Sequence, residues 1–167
     1  GINLENFHPD ASLPAPVGLE RGPVIGTVGS LTYEKGTADL LDAAAVLLSS
    51  WPDLKVCIVG GGPLRDTLAA QARRLGIAGH VIFAGVVEDV RPWVSAFDVF
   101  VLPSRSEGMG LAMVEAMALG CPVVATKVGG IPEVLGAAGV LVQAERSDVL
   151  ANELARLLAD DELRQRL

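Results

Sequence analysis

Short valine- and isoleucine-rich runs alternate with longer amphipathic ones along almost the whole chain, and this alternation restricts the fold more than any other feature. The apolar runs lie at residues 24–28, 55–59, 81–84, 99–102, 123–126 and 140–142. They are short and β-branched, as strands buried on both faces are. Between and after them, residues 38–50, 64–75, 90–96, 111–119, 131–135 and 148–159 have the spacing of helices with one apolar side. Strand, helix, strand in succession implies parallel pairing with a right-handed crossover. The expectation is an α/β domain: an open, doubly wound parallel sheet, Rossmann-like, covered by helices on both faces. The 167 residues are enough for one such core, and with 4% aromatic residues it must be filled by Ala, Val and Leu.

Ligands on sheets of this kind sit beyond the carboxyl ends of the strands. The turns expected there are GSLTYEKG at 29–36, GGGP at 60–63, GVVED at 85–89, SRSEGMG at 104–110 and KVGGIPE at 127–133. All are rich in glycine or polar residues. The most informative segment follows the fourth turn, where Glu115 is the only polar side chain in LAMVEAMAL, residues 111–119. A lone carboxylate among apolar neighbours costs several kcal/mol unless something satisfies it. A helix starting near Gly110 would carry Glu115 about 7–8 Å along its axis. Helical side chains lean toward the N-terminus, so this carboxylate can reach back over the first turn. The free amides there attract phosphate, while a carboxylate accepts from hydroxyls. Together they suit a ligand with both groups, a nucleotide-sugar, and Gly108 and Gly110 would let the backbone approach it closely.

Plainer readings of the same residues stand beside this one. Glu115 can face solvent or pair with an arginine while Leu111, Met113 and Met117 pack the core. Glu107 is also an ordinary acid for a Gly-Ser turn, and Lys35 an ordinary solvated turn lysine. The three glycines at 60–62 serve either a tight turn or ligand contact. Asp98 and Glu133 read as capping or packing residues.

Other chemistries find little support. The net charge is −7 with no basic stripe, which argues against nucleic acid as a partner. GGGPLR at 60–65 has Arg65, and GMGLAM at 108–113 has Met113, where a dinucleotide fingerprint needs its last glycine. No P-loop, Asp-x-Asp pair or hydrolase elbow is present, and Ser104 and Ser106 have no histidine near in sequence. Neither His8 nor His80 has a metal-ligand spacing, so no metal and no cofactor are expected. Cys57 and Cys121 fit reduced, intracellular packing, which favours the cytoplasm. No apolar run reaches the ~18 residues of a membrane span. The opening residues, GINLENF, do not read as a natural start.

Four stretches taken together resemble one family. They are VGSLTYEKG at 28–36, VGGGP at 59–63, VIFAGVV at 81–87 and FDVFVLPSRSEGMGLAMVEAMALGCPVVATKVGGIPEV at 97–134. The chain resembles the C-terminal, donor-binding domain of the family 4 (group 1) retaining glycosyltransferases, two-domain enzymes of the B-type fold. The resemblance implies an interdomain linker at residues 1–23, a nucleotide-sugar donor-binding domain at 24–167, and an N-terminal acceptor domain that is absent here. It implies transfer of a sugar from a nucleoside diphosphate to an acceptor hydroxyl with retention, by the full two-domain enzyme. The isolated domain would bind donor and transfer poorly, and membrane contact, if any, would come through the N-terminal domain.

Matched residue by residue, Glu107 corresponds to the glutamate that contacts the donor sugar and organises the reacting centre. Glu115 corresponds to the one that binds the ribose hydroxyls. Lys35 matches the lysine facing the diphosphate, and Gly29 and Ser30 belong to the same turn. Gly108, Met109, Gly110 and Leu111 match the backbone that cradles phosphate and sugar, and the turn holding Val86 borders the base. One position departs: many members have arginine where this chain has Ser30, and serine offers one neutral donor in place of a charged fork. The expectation is weaker donor binding or compensation by another cation such as Arg105. Two other functions remain open, a nucleotide-binding or regulatory module without catalysis and a nucleotide-sugar epimerase.

Overall fold

The computed structural model describes residues 16–19 and 22–167. Most of the segment read as a linker, residues 1–15, 20 and 21, lies outside the described residues. Within that segment, the Leu19 amide donates to the Pro16 carbonyl at 3.1 Å. This turn seats Leu19 in the core at 5% exposure.

Six strands form where the apolar runs predict them: β1 Val24–Val28, β2 Lys55–Val59, β3 Val81–Gly85, β4 Val99–Leu102, β5 Val123–Thr126 and β6 Val140–Val142. Every pairing is parallel, in the order β3-β2-β1-β4-β5-β6. This is the doubly wound arrangement, with its topological switch point between β1 and β4. The helices are α1 Thr37–Leu47, α2 Arg65–Arg74, α3 Arg91–Val94, α4 Leu111–Ala118, α5 Ile131–Leu135, α6 Ser147–Ala159 and α7 Asp161–Arg166.

Strand alternation divides the interior into two cores. In β4, Val99 and Val101 enter one core with Ile25, Leu41 and Leu154, under α1, α2 and α6. Phe100 and Leu102 enter the other with Met113, Ala116, Ile131 and Leu135, under α3, α4 and α5. These side chains are essentially inaccessible to solvent. Each large one contributes roughly 1.5–3 kcal/mol through burial.

Helix limits differ from the sequence reading for local reasons. Helix α1 ends at Leu47 rather than residue 50, because the amides of Ser50 and Trp51 both return to the Leu47 carbonyl and turn the chain. Helix α3 is confined to Arg91–Val94, and the amides of Ala96 and Phe97 close short turns onto Trp93 and Val94. Beyond residue 159, where the last expected helix ends, the DDELRQRL segment forms α7. Asp160 caps it by accepting from the Leu163 amide at 2.8 Å, with acids in the first turn and arginines in the last. These signals were present, but without an apolar stripe to draw attention to them.

The glycines at 60–62 have a packing reason. A Cβ on Gly60 would lie 1.9 Å from the Gly29 carbonyl oxygen, and its φ is +131°. The β1 and β2 turns are thereby laced together, Gly29 N to Val59 O at 2.9 Å and Leu31 N to Gly61 O at 2.9 Å. No larger residue permits that approach. Gly60→Ala is therefore expected to destabilise the domain by about 2 kcal/mol or more, measured by urea denaturation.

Candidate functional site

β1 and β4 pair side by side, but the connections that follow them leave toward opposite faces of the sheet, so the turns after these strands flank a cleft. After β1 come Gly29 and Ser30, then a single 3-10 turn, Tyr33–Lys35, closed by left-handed Gly36. After β4, the chain passes Ser104 to reach Glu107 and enters α4 at Gly110, also left-handed at φ +70°. Between them lies a cavity of about 530 Å³ lined by Gly29, Ser30, Lys35, Glu107, Met109, Gly110 and Leu111. A second cavity of about 310 Å³ shares Val28, Gly29 and Ser30 with the first and extends to Gly60, Gly61 and Val86.

One carboxylate organises the first cavity. Glu107 Oε2 accepts from Lys35 Nζ at 2.6 Å and from Ser104 Oγ at 3.1 Å, while Oε1 has no partner among the described residues. The Glu107 side chain is 12% exposed and that of Lys35 30%, so this pair is screened less than a surface one. Ser104 is wholly buried, and its carbonyl accepts from Thr126 Oγ in β5. From below, the β5 turn props the same loop: a Cβ on Gly129, φ +52°, would fall 1.8 Å from the Glu107 carbonyl oxygen. The Gly130 amide donates to Gly108 O at 3.0 Å. Sequence reasoning missed Ser104 and Gly129 as supports; the Ser-x-x-Glu spacing of 104 and 107 was the available signal for the first.

The backbone supplies the cavity's other polarity. The amides of residues 108–112 have no acceptor among the described residues, and no side chain caps α4. Unpaired amides at a helix start favour an anion. Among the described residues, Lys35 is the single cation lining either cavity. The arginine considered as compensation for Ser30 is committed elsewhere. Arg105 Nη2 donates to both carboxylate oxygens of Asp39, at 2.9 and 3.1 Å, and its guanidinium lies over the Tyr33 ring.

Glu115 sits in the second turn of α4, half-buried, and makes no side-chain hydrogen bond or ion pair with the described residues. It lines neither cavity. Partial burial holds its carboxyl above the usual value. Gly108 is exposed, with open space where a side chain would begin. Asp98 has the structural place expected of it, accepting from the Val24 amide at 2.8 Å. Burial pushes the thiols of Cys57 and Cys121 up to about 12, which leaves neither as a nucleophile. His80 is engaged through Nδ1 with the Leu54 carbonyl at 3.1 Å. Among the described residues no cluster of three or more His, Cys, Asp or Glu is arranged to hold a metal ion. No described helix is long and apolar enough to cross a membrane.

The family model described as "Glycosyl transferases group 1" matches residues 22–160. The chain belongs to that family. Among relatives, it is 36% identical over 175 residues to the GDP-mannose-dependent alpha-(1-6)-phosphatidylinositol monomannoside mannosyltransferase of Mycolicibacterium smegmatis, covering 96% of this chain and 46% of that one. It is 38% identical over 184 residues to the D-inositol 3-phosphate glycosyltransferase of Corynebacterium urealyticum, covering 98% and 43%. It therefore spans less than half the length of these group 1 enzymes. The fold matches that of Anabaena HepE, solved in complex with UDP, at a TM-score of 0.90 and 28% identity, over 99% of this chain and 49% of HepE. It also matches the C-terminal domain of the group 1 protein LpcC of Francisella tularensis, at a TM-score of 0.84 and 30% identity, over 99% and 92%.

A stability prediction follows from Glu115. Its carboxyl titrates higher in the folded than in the unfolded chain, so the folded state prefers it protonated. The resulting penalty is absent below the ordinary value of 4.5 and grows as pH rises through the folded one. Glu115→Gln should therefore raise the melting temperature at neutral pH, and this gain should vanish when the scan is repeated below pH 4.5.

Proposed function

We propose that this chain is the donor-binding domain, residues 24–167, of a retaining glycosyltransferase that moves a sugar from a nucleoside diphosphate to an acceptor hydroxyl. The observation that carries this reading is the convergence of Lys35, Glu107 and the unpaired amides of residues 109–112 on one cleft at the switch point. Cation and amides suit a diphosphate, and a carboxylate with one free oxygen suits sugar hydroxyls. Two relatives add support: HepE is solved with UDP, and the mycobacterial enzyme is named as GDP-mannose-dependent.

In this reading the bond from the anomeric carbon to the diphosphate oxygen breaks as the acceptor oxygen bonds to that carbon on the same face, and the acceptor's proton passes to the departing diphosphate oxygen. Negative charge gathers on the departing diphosphate. Lys35 Nζ has three protons, so it can keep Glu107 while donating to a phosphate oxygen. The amides of residues 109–112 face the same charge without having to reorient. Glu107, held through Oε2, offers Oε1 to the sugar and fixes which face of the anomeric carbon meets the acceptor. Glu115 takes the ribose hydroxyls, a favourable interaction that would offset its unpartnered state. The turn around Val86 borders the base. The acceptor site belongs to an N-terminal domain, so the isolated chain binds donor without transferring it.

A second reading, a nucleotide-binding module without catalysis, draws on Lys35 being, among the described residues, the single cation lining the cleft. Transfer by the chain rejoined to an N-terminal domain rules that reading out.

UDP or GDP at about a hundred times its dissociation constant should stabilise the domain by ~2.7 kcal/mol in a thermal-shift assay. Glu115→Ala should abolish the shift, and an undiminished response would return Glu115 to an ordinary surface role. In the two-domain enzyme, Glu107→Gln should lower kcat by about a hundredfold or more. Robust turnover by the 167-residue chain alone would overturn the division of labour proposed here.

A further inference from the structure

Arg105 lines neither cavity, yet it is the most heavily tied side chain near them. It lies two residues before Glu107. Its guanidinium meets Asp39 at 2.9 Å, faces Glu145 Oε1 from Nε at 3.4 Å, and stacks over the Tyr33 ring with 4.2 Å between Cζ and the ring centre. The Nε contact is an ion pair whose geometry falls short of a hydrogen bond. The Arg105 amide also donates to the Glu34 carbonyl at 2.7 Å. Tyr33, Glu34 and Asp39 bracket Lys35 in sequence. Arg105 therefore fastens the segment carrying Lys35 to the segment carrying Glu107, on the side away from the cleft.

The third segment in this cluster is under strain. Glu145, between β6 and α6, has φ +58° and is the single non-glycine residue with positive φ among those described. Such backbone persists where its surroundings hold it. Here Glu145 Oε1 is held by Arg105 and, at 3.5 Å, by the Tyr33 hydroxyl. The side chains of Arg105 and Asp39 are 17% and 14% exposed, and a pair so shielded is costly to break from one side.

We infer that Arg105 is a positioning residue: clamped by Asp39, Tyr33 and Glu145, it sets the separation of Lys35 from Glu107 and so the register of cation and carboxylate across the cleft. The inference rests on the donor-site reading of that cleft. The bidentate contact and the stacking both need a planar guanidinium, so lysine replaces the charge without the geometry. Removing Arg105 lets the two turns move apart, and Lys35 no longer meets Glu107 and a phosphate at the same time.

The test is a double-mutant cycle on the 167-residue chain, with UDP and GDP as probes in titration calorimetry. Lys35→Ala should weaken binding of whichever probe the wild type takes. Arg105→Gln should weaken it about five- to tenfold, Arg105→Lys should recover only part of that loss, and Arg105→Gln should have no further effect when Lys35→Ala is already present. A residue acting only through overall stability would instead add its effect to that of Lys35→Ala, and additivity overturns the inference. Should Arg105→Gln not fold, Asp39→Asn removes the same clamp from the other side and carries the cycle. A crystal structure of the clamp variant should show Lys35 Nζ withdrawn from Glu107, and an unchanged 2.6 Å contact overturns the inference too. A wild-type chain that binds neither probe overturns the donor-site reading itself, and this inference with it.

Discussion

Parallel pairing sends all six strands of this sheet toward the same edge, and the site follows from that constraint. Every crossover must return across a face of the sheet, which is why two helical layers and two apolar cores are required. All the turns that carry chemistry are then gathered at one rim. At the switch point the connections from β1 and β4 leave toward opposite faces, one into α1 over the first core and the other into α4 over the second. A cavity of about 530 Å³ opens there, between the turns that hold Lys35 and Glu107.

A cleft between loops is useful only if the loops hold still, and here backbone contacts hold them. The β1 turn is laced to β2 through Gly60, and the β4 turn rests on β5 through Gly129. Ser104 fixes the Glu107 carboxylate from within the core. These contacts need few long side chains, which leaves the rim open to a ligand. Glycine is thus spent largely on bringing loops together rather than on making them mobile.

The charges near the rim fall into two sets. Lys35 and Glu107 face the cleft, where the cation has a single carboxylate partner and the carboxylate keeps one oxygen free. Arg105 lines neither cavity; it pairs with Asp39 and faces Glu145. Arg105, the cation that could have compensated for a serine at position 30, is already engaged by the carboxylates of Asp39 and Glu145. Glu115 is the opposite case, a half-buried acid with nothing to accept from among the described residues. A group kept in an unfavourable setting is a reason to look for a ligand.

The six strands and the parallel doubly wound sheet could be read from the chain alone, because a strand buried on both faces must be a continuous apolar run bounded by turn residues. The glycine segment at 108–110 stood out for a related reason, as permissive residues placed where such a strand ends, whereas Lys35 and Glu107 alone read as ordinary turn residues and were singled out through the resemblance to the family. Helix α7 was missed because its signals are caps and charges rather than periodicity. Folding alone decided the partners. That Arg105 would turn from the cleft to Asp39, and that Gly129 would support the Glu107 carbonyl, depend on contacts between segments distant in sequence. Local spacing encodes periodicity along one element, whereas which side chain meets which across a rim is settled only when the sheet brings the turns together.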